Sequence, residues 1–292
     1  MKAVAAGLAL VLTLGQGTAA FAAEDKIAVV AAENFYGDIA RQIAGDRITV
    51  ASIMTNPDQD PHLFETTPAT VRQIAGAQIV ILNGASYDPW MEKLLDATPR
   101  SPRTVINVAQ LTRRKPGDNP HFWYDPATMP VVATAIAEAL SKVDGTHASD
   151  YAARLKVTLA SLAVITQRVA QLKTKHAGTA VTATEPIFGP MADALGLTMR
   201  NQRFQLAMMN GTEPSARDVA AFERDLKERK VRVLIYNSQV SEKLTERLRD
   251  TASKSKVPVV GVTETMPANT SFQDWLLGEL DTLDKALSGP NS

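Results

Sequence analysis

One stretch near the middle of the chain constrains the fold more than any other. From Ser149 to His176, Tyr151, Leu155, Leu159, Leu162, Ile165, Val169 and Leu172 recur at three- and four-residue spacings, with no Gly or Pro until Gly178. That period places the apolar side chains on one face of a single helix. At a rise of ~1.5 Å per residue the helix runs roughly 40 Å, long enough to bridge two lobes. An ordinary long surface helix shares this periodicity, so the sequences on either side must decide between the two.

Both flanks alternate apolar, β-rich runs with helical stretches, the pattern of parallel sheets covered by helices. In the first half the predicted strands are Lys26–Ala32, Ile48–Met54, Gln78–Asn83 and Thr104–Ala109, with helices at Tyr36–Ala44, Pro68–Gly76 and Pro89–Asp96. Thr67 suits the N-cap of the second helix and Pro68 its first position. In the second half strands are predicted at Thr179–Ala183, Val231–Tyr236 and Val257–Val262. Helices are predicted there at Gly189–Leu195, Ala216–Glu228, Glu242–Ser253 and Phe272–Leu287, with Ser215 and Ser271 as N-caps. The fold class is therefore α/β: two βα-repeat lobes with parallel sheets, joined by one long backbone helix. A length of 292 residues suits two lobes, each with its own core. The division reads as 1–22 signal peptide, 23–148 first lobe, 149–176 connecting helix and 177–292 second lobe.

Lys2 ahead of the apolar run Ala3–Leu14, followed by small residues and the Ala20-Phe21-Ala22 pattern, reads as a cleaved secretory signal. No later segment reaches the ~20 apolar residues that a membrane-crossing helix needs. Cysteine is absent, which excludes disulfides, a thiolate nucleophile, soft thiolate ligands and a lipid anchor on cysteine. A periplasmic location and a monomer without a membrane anchor are expected. Lys plus Arg and Asp plus Glu both total 31, so no broad positive field exists to hold nucleic acid.

Two of the four histidines occur in matching settings, Asp60-Pro61-His62 and Asn119-Pro120-His121, followed by Glu65 and Asp125. Proline fixes its own φ and extends the residue before it, so each imidazole is expected on a rigid loop after a strand. In open α/β sheets ligands gather beyond the carboxyl ends of the strands, and imidazole is the commonest transition-metal ligand. His147, in a turn, and His176, at a helix C-terminus where a cation suits the dipole, read as structural.

The segments Asp60-Pro61-His62-Leu63-Phe64-Glu65 and Asn119-Pro120-His121-Phe122-Trp123-Tyr124-Asp125-Pro126 resemble the DPHxxE and NPHxWxDP motifs of the zinc, manganese and iron solute-binding proteins of ABC importers. The resemblance extends from Lys26 to Leu287 and includes the long helix. It implies His62 and His121 as metal ligands, Glu185 in Thr184-Glu185-Pro186 as the third, and Glu264 in Val262-Thr263-Glu264 as the fourth, where relatives usually carry aspartate. Asn237 and Glu33 compete with Glu264 for that place. The resemblance also implies an importer permease with its ATPase as partner.

Two neutral imidazoles and two carboxylates carry net charge minus two, which matches a divalent cation enclosed between lobes. Zinc, manganese and ferrous iron all fit; zinc-specific relatives often add a third histidine and a His-rich loop, and this sequence has neither. A metallohydrolase is the main enzymatic rival, but HExxH and the Gly-x-Ser-x-Gly elbow are absent, so no enzyme activity is expected. A solute-binding protein for a small organic ligand would leave the paired Pro-His loops unexplained, and nothing in the sequence argues for a metal-bridged adhesin.

Overall fold

The computed structural model describes residues 27–56, 64–240 and 242–289. The predicted signal segment and the Asp60-Pro61-His62 motif lie outside the described residues. In chain order the first lobe contains β1 (Ala28–Glu33), α1 (Asn34–Ala44), β2 (Thr49–Met54), α2 (Pro68–Gly76), β3 (Ile79–Leu82), α3 (Pro89–Ala97), β4 (Thr104–Asn107), the one-turn α4 (Val108–Leu111) and α5 (Thr128–Val143). The long helix follows as α6 (Ala148–His176). The second lobe contains β5 (Ala180–Ala183), α7 (Gly189–Ala194), β6 (Thr198–Arg200), α8 (Gln202–Met209), α9 (Ala216–Lys227), β7 (Leu234–Asn237), α10 (Lys243–Lys254), β8 (Val259–Val262) and α11 (Phe272–Ser288).

The predicted caps form as the residue types require. Thr67 Oγ1 accepts from the Thr70 amide at 3.2 Å, Ser215 Oγ from Asp218 at 3.2 Å and Ser271 Oγ from Asp274 at 3.1 Å. Each satisfies an amide that the helix itself leaves without a partner. The sequence patterns did not predict α4, α5, β6 or α8; Val108 and Ala109, expected in a strand, open α4 instead, because the Asn107 side chain caps it by accepting from the Gln110 amide. Helix α5 carries Pro130 in its first turn, where the missing amide proton is harmless. Strand β6 is a three-residue edge strand with no fully buried residue, too short to show an alternation.

Each sheet is wholly parallel, in order β2-β1-β3-β4 and β6-β5-β7-β8. In both, the first strand of the lobe sits inside and the chain leaves it in opposite directions, so a topological switch point opens beyond its carboxyl end. Strand parity then sorts the core. Val29, Ala31, Ile79 and Ile81 face one way and Val30, Ala32, Val80 and Leu82 the other, because successive side chains alternate across a sheet. The outward faces bury private clusters, Ile74 and Met91 with β3 in the first lobe and Phe204, Phe222 and Leu248 with β7 in the second. The inward faces do not stay private: β1, β3, α1, α5, α6, β5, β8 and α11 contribute to one continuous apolar cluster. The expectation of a separate core for each lobe therefore holds only for the outer faces.

Helix α6 lies against α1 and α5 on one side and α11 on the other, with Tyr151, Leu162, Ile165, Val169 and Leu172 buried. Leu155 and Leu159 are only partly covered, and Val157 and Val164 face solvent. The bridge expected from the periodicity is observed. At its end His176 is buried and its Nε2 sits 2.8 Å from an Asp284 carboxylate oxygen on α11, while Arg168 and Lys175 hold the same carboxylate. These partners hold Asp284 well below the usual carboxylate range, the His176 contact contributing most. No helix among the described residues is long and apolar enough to cross a membrane.

Candidate metal centre

The carboxyl ends of the strands deliver the polar residues. Glu33 ends β1, Asn83 follows β3, Thr184 and Glu185 follow β5, Asn237 ends β7 and Glu264 follows β8. His121 arrives differently from the expectation. It does not follow a strand directly; the chain passes from β4 through α4 and a loop before reaching it, and a 3-10 turn at Phe122–Tyr124 fixes its far side. The ring is 1% exposed and packs edge-on against Tyr87 and Trp123.

His121 Nε2 stands 3.7 Å from Glu264 Oε2, with both side chains buried. Two donors sharing one tetrahedral ion at zinc-like bond lengths stand roughly 3.3 Å apart, so this pair is within a small adjustment of a common ion. Glu264 Oε2 accepts from Tyr87 Oη at 3.0 Å, and Oε1 from Asn237 Nδ2 at 2.9 Å. The same Asn237 amide donates to Glu185 Oε2 at 3.3 Å, and its Oδ1 accepts from the Gln239 amide at 3.0 Å. Asn237 therefore presents protons to the two carboxylates rather than an oxygen to a cation. It belongs to the site as the group between Glu185 and Glu264. Among the described residues, no three His, Cys, Asp or Glu side chains are grouped so as to hold an ion as they stand.

Glu33 lies beside this cluster, where its charge, after burial and the charge of Glu264, helps to raise the Tyr87 hydroxyl. It is buried at the N-cap position of α1 yet makes no cap hydrogen bond there, and its Oε2 finds no partner among the described residues. Its neighbour is Asp88, whose carboxylate accepts from the amides of Asn83 at 2.7 Å and Gly84 at 2.8 Å. Burial first, then the charge of Asp88, push the Glu33 carboxyl well above its usual range; burial pushes Asp88 up to about 6. The two backbone donors favour charge on Asp88, and that charge in turn opposes ionisation of Glu33.

The chain of contacts continues through Tyr36, which donates to Asn83 Oδ1 at 2.6 Å, and Asn83, whose Nδ2 donates to the Pro120 carbonyl at 2.9 Å. Tyr87, Asn83, Asp88 and Gln239 were not singled out in the sequence. Tyr87 and Asp88 flank each other just before Pro89, and only the folded chain shows that one reaches Glu264 while the other secures the loop. The donor types suit a divalent cation: an imidazole nitrogen and a carboxylate face each other at 3.7 Å, and Asn237 links that carboxylate to a second one, Glu185.

Over residues 29–286 the sequence matches the family model described as ZnuA, zinc-uptake complex component A, periplasmic. The chain belongs to the ZnuA family. Among curated relatives, the iron-binding protein YfeA of Yersinia pestis is 32% identical over 133 residues, 43% of this chain and 42% of that one. The manganese ABC transporter substrate-binding lipoprotein PsaA of Streptococcus pneumoniae is 26% identical over 191 residues, 59% of this chain and 61% of the relative. Both matches span less than two thirds of the relative's length. Of solved structures, the periplasmic zinc binding protein TroA from Treponema pallidum superposes with a TM-score of 0.77 at 22% identity, covering 90% of this chain and 100% of that one. That likeness establishes the ZnuA-family fold of paired parallel sheets and long helix for this chain.

Proposed function

We propose that this ZnuA-family chain is the solute-binding component of an ABC importer, exported to the periplasm, where it binds one divalent transition-metal ion between its lobes and passes it to a membrane permease driven by an ATPase. The proposed ligands are His62, His121, Glu185 and Glu264. The observation that carries this reading is the approach of a buried imidazole nitrogen from the first lobe to a buried carboxylate from the second, with a second carboxylate held beside it by Asn237. An enzyme needs an open coordination position for water or substrate, whereas four protein ligands close the sphere. Residues 23–148 and 177–292 act as the two jaws and 149–176 as their common spine, and the mature protein works as a monomer without an anchor. Zinc, manganese and ferrous iron all suit two imidazoles and two carboxylates, and the relatives are named for different metals.

The test is metal content of the purified mature chain, measured by mass spectrometry after loading with equal manganese, ferrous iron and zinc, for the wild type, His62→Ala and His121→Ala. One equivalent in the wild type and its loss in both variants is expected. Metal content indifferent to both substitutions overturns the reading and favours a small organic solute.

A further inference from the structure

The Asn119 side chain makes three polar contacts whose directions leave its amide only one orientation. Oδ1 lies 3.1 Å from the backbone nitrogen of His121 and 2.7 Å from its Nδ1. Nδ2 donates to the Pro186 carbonyl at 2.7 Å, in the second lobe and one residue beyond Glu185. Exchanging the amide oxygen and nitrogen would set an NH2 against the His121 backbone N–H and an oxygen against a carbonyl, so the assignment follows from the partners. An oxygen facing Nδ1 requires the proton to be on Nδ1. In the neutral ring the lone pair is then on Nε2, the nitrogen 3.7 Å from Glu264 Oε2.

The second lobe is shaped to receive this amide. Gly189, the first residue of α7, has an ordinary helical φ of −52°, so its backbone does not need glycine. A Cβ at that position would stand 2.7 Å from Asn119 Nδ2, closer than real side chains approach. The bare Cα at 189 and the carbonyl at 186 together form a seat for Asn119 on the loop that carries Glu185.

We propose that Asn119 is a positioning residue with two linked tasks: it selects the His121 tautomer that offers Nε2 to a metal, and it ties that imidazole across the lobe boundary to the Glu185 loop. The inference rests on the proposed roles of His121 and Glu185 as ligands. Partners of this kind, which orient a ligating imidazole through its other nitrogen, typically change metal affinity 10- to 100-fold when removed. Movement of the Glu185 loop away from His121 breaks the Asn119–Pro186 bond, so the grip on the imidazole loosens in the same motion that withdraws a carboxylate.

The experiment uses the full mature chain with 15N-labelled histidine. In the metal-free wild type, NMR should show His121 protonated on Nδ1. Asn119→Ala should lose that single tautomer and weaken zinc binding 10- to 100-fold. Asn119→Asp keeps an acceptor for Nδ1–H but no donor for Pro186. Gly189→Ala leaves every polar group in place but displaces the amide from its seat. Both should retain the tautomer and release zinc faster than the wild type. An unchanged tautomer and affinity in Asn119→Ala would overturn the tautomer assignment; a wild-type release rate in both Asn119→Asp and Gly189→Ala would overturn the lobe coupling. Should Asn119→Ala not fold, the other two variants still test the coupling and the wild-type spectrum tests the tautomer. Because the tautomer is read without metal, it stands apart from the ligand reading, which fails if His121→Ala binds zinc as the wild type does.

Discussion

Glu279 on α11 shows how a buried acid one residue removed from the centre responds to pH. Its carboxylate oxygens lie 3.2 Å from the Thr263 amide, 2.9 Å from Trp275 Nε1 and 2.8 Å from Tyr124 Oη. Tyr124 Oη, which donates to this carboxylate, is also 2.8 Å from the Thr263 carbonyl. Burial raises Glu279 from 4.5 to about 8, against the pull of its three donors. Between those values the folded chain holds a proton that the unfolded chain has lost. The resulting stability is complete below pH 4.5 and disappears as pH rises to about 8, by up to about 1.4 kcal/mol per pH unit. Asp88, raised from 3.8 to about 6, adds a slope of the same sign at lower pH. Thermal melts of the metal-free protein should fall between pH 6 and 8, and Glu279→Gln, a mimic of the protonated acid, should flatten that slope. A slope identical in the variant would assign it to other groups.

Among the elements, α6 carries the sharpest contrast between two faces of one helix. Leu162 is 2% exposed and sits in the cluster shared by both lobes, whereas Val157, on the same helix, is 71% exposed. Removing the Leu162 side chain leaves a cavity that the flanking helices cannot close, so Leu162→Ala should cost about 2–5 kcal/mol. Val157→Ala should change stability by less than about 0.5 kcal/mol. Urea unfolding of the two variants measures the difference; equal losses would mean that the periodic face is not what anchors the helix. Two of the elements the sequence reading missed have weak local signals: β6, three residues at a sheet edge, and α8, which follows Asn201 in a left-handed conformation without a side-chain cap; α5, 16 residues long, was missed despite its length.

At the scale of the whole molecule, the continuous inner core and polar ties across the lobes make independent unfolding unfavourable. The Phe272 amide donates to Asp38 at 3.0 Å, Asn34 and Met266 exchange hydrogen bonds, and Gln273 binds Gln42 and Ser161. Calorimetry of the metal-free chain should therefore show one transition. Metal at about 100 times its dissociation constant should raise stability by about 2.7 kcal/mol, since it binds only the folded arrangement. Two separated transitions would show lobes that fold as independent bodies, and the shared core would then contribute little to cooperativity.

Local pattern was enough for most of the βα repeats, for the long helix and for the three serine- or threonine-capped helices α2, α9 and α11, because periodicity and capping depend on residues close in sequence. The Asn-Pro-His motif likewise singled out His121, and the resemblance gave Glu185 and Glu264 as expected ligands. Tertiary structure alone decided what surrounds them. Tyr87 meets Glu264 across 177 positions of chain, and Asn119 meets Pro186 across 67. The placement of Asn237 between two carboxylates, the pairing of Glu33 with Asp88 and the sharing of one core by both lobes follow from how two sheets with their switch points facing are held by α6. Such contacts join residues distant in sequence, and no local periodicity encodes them.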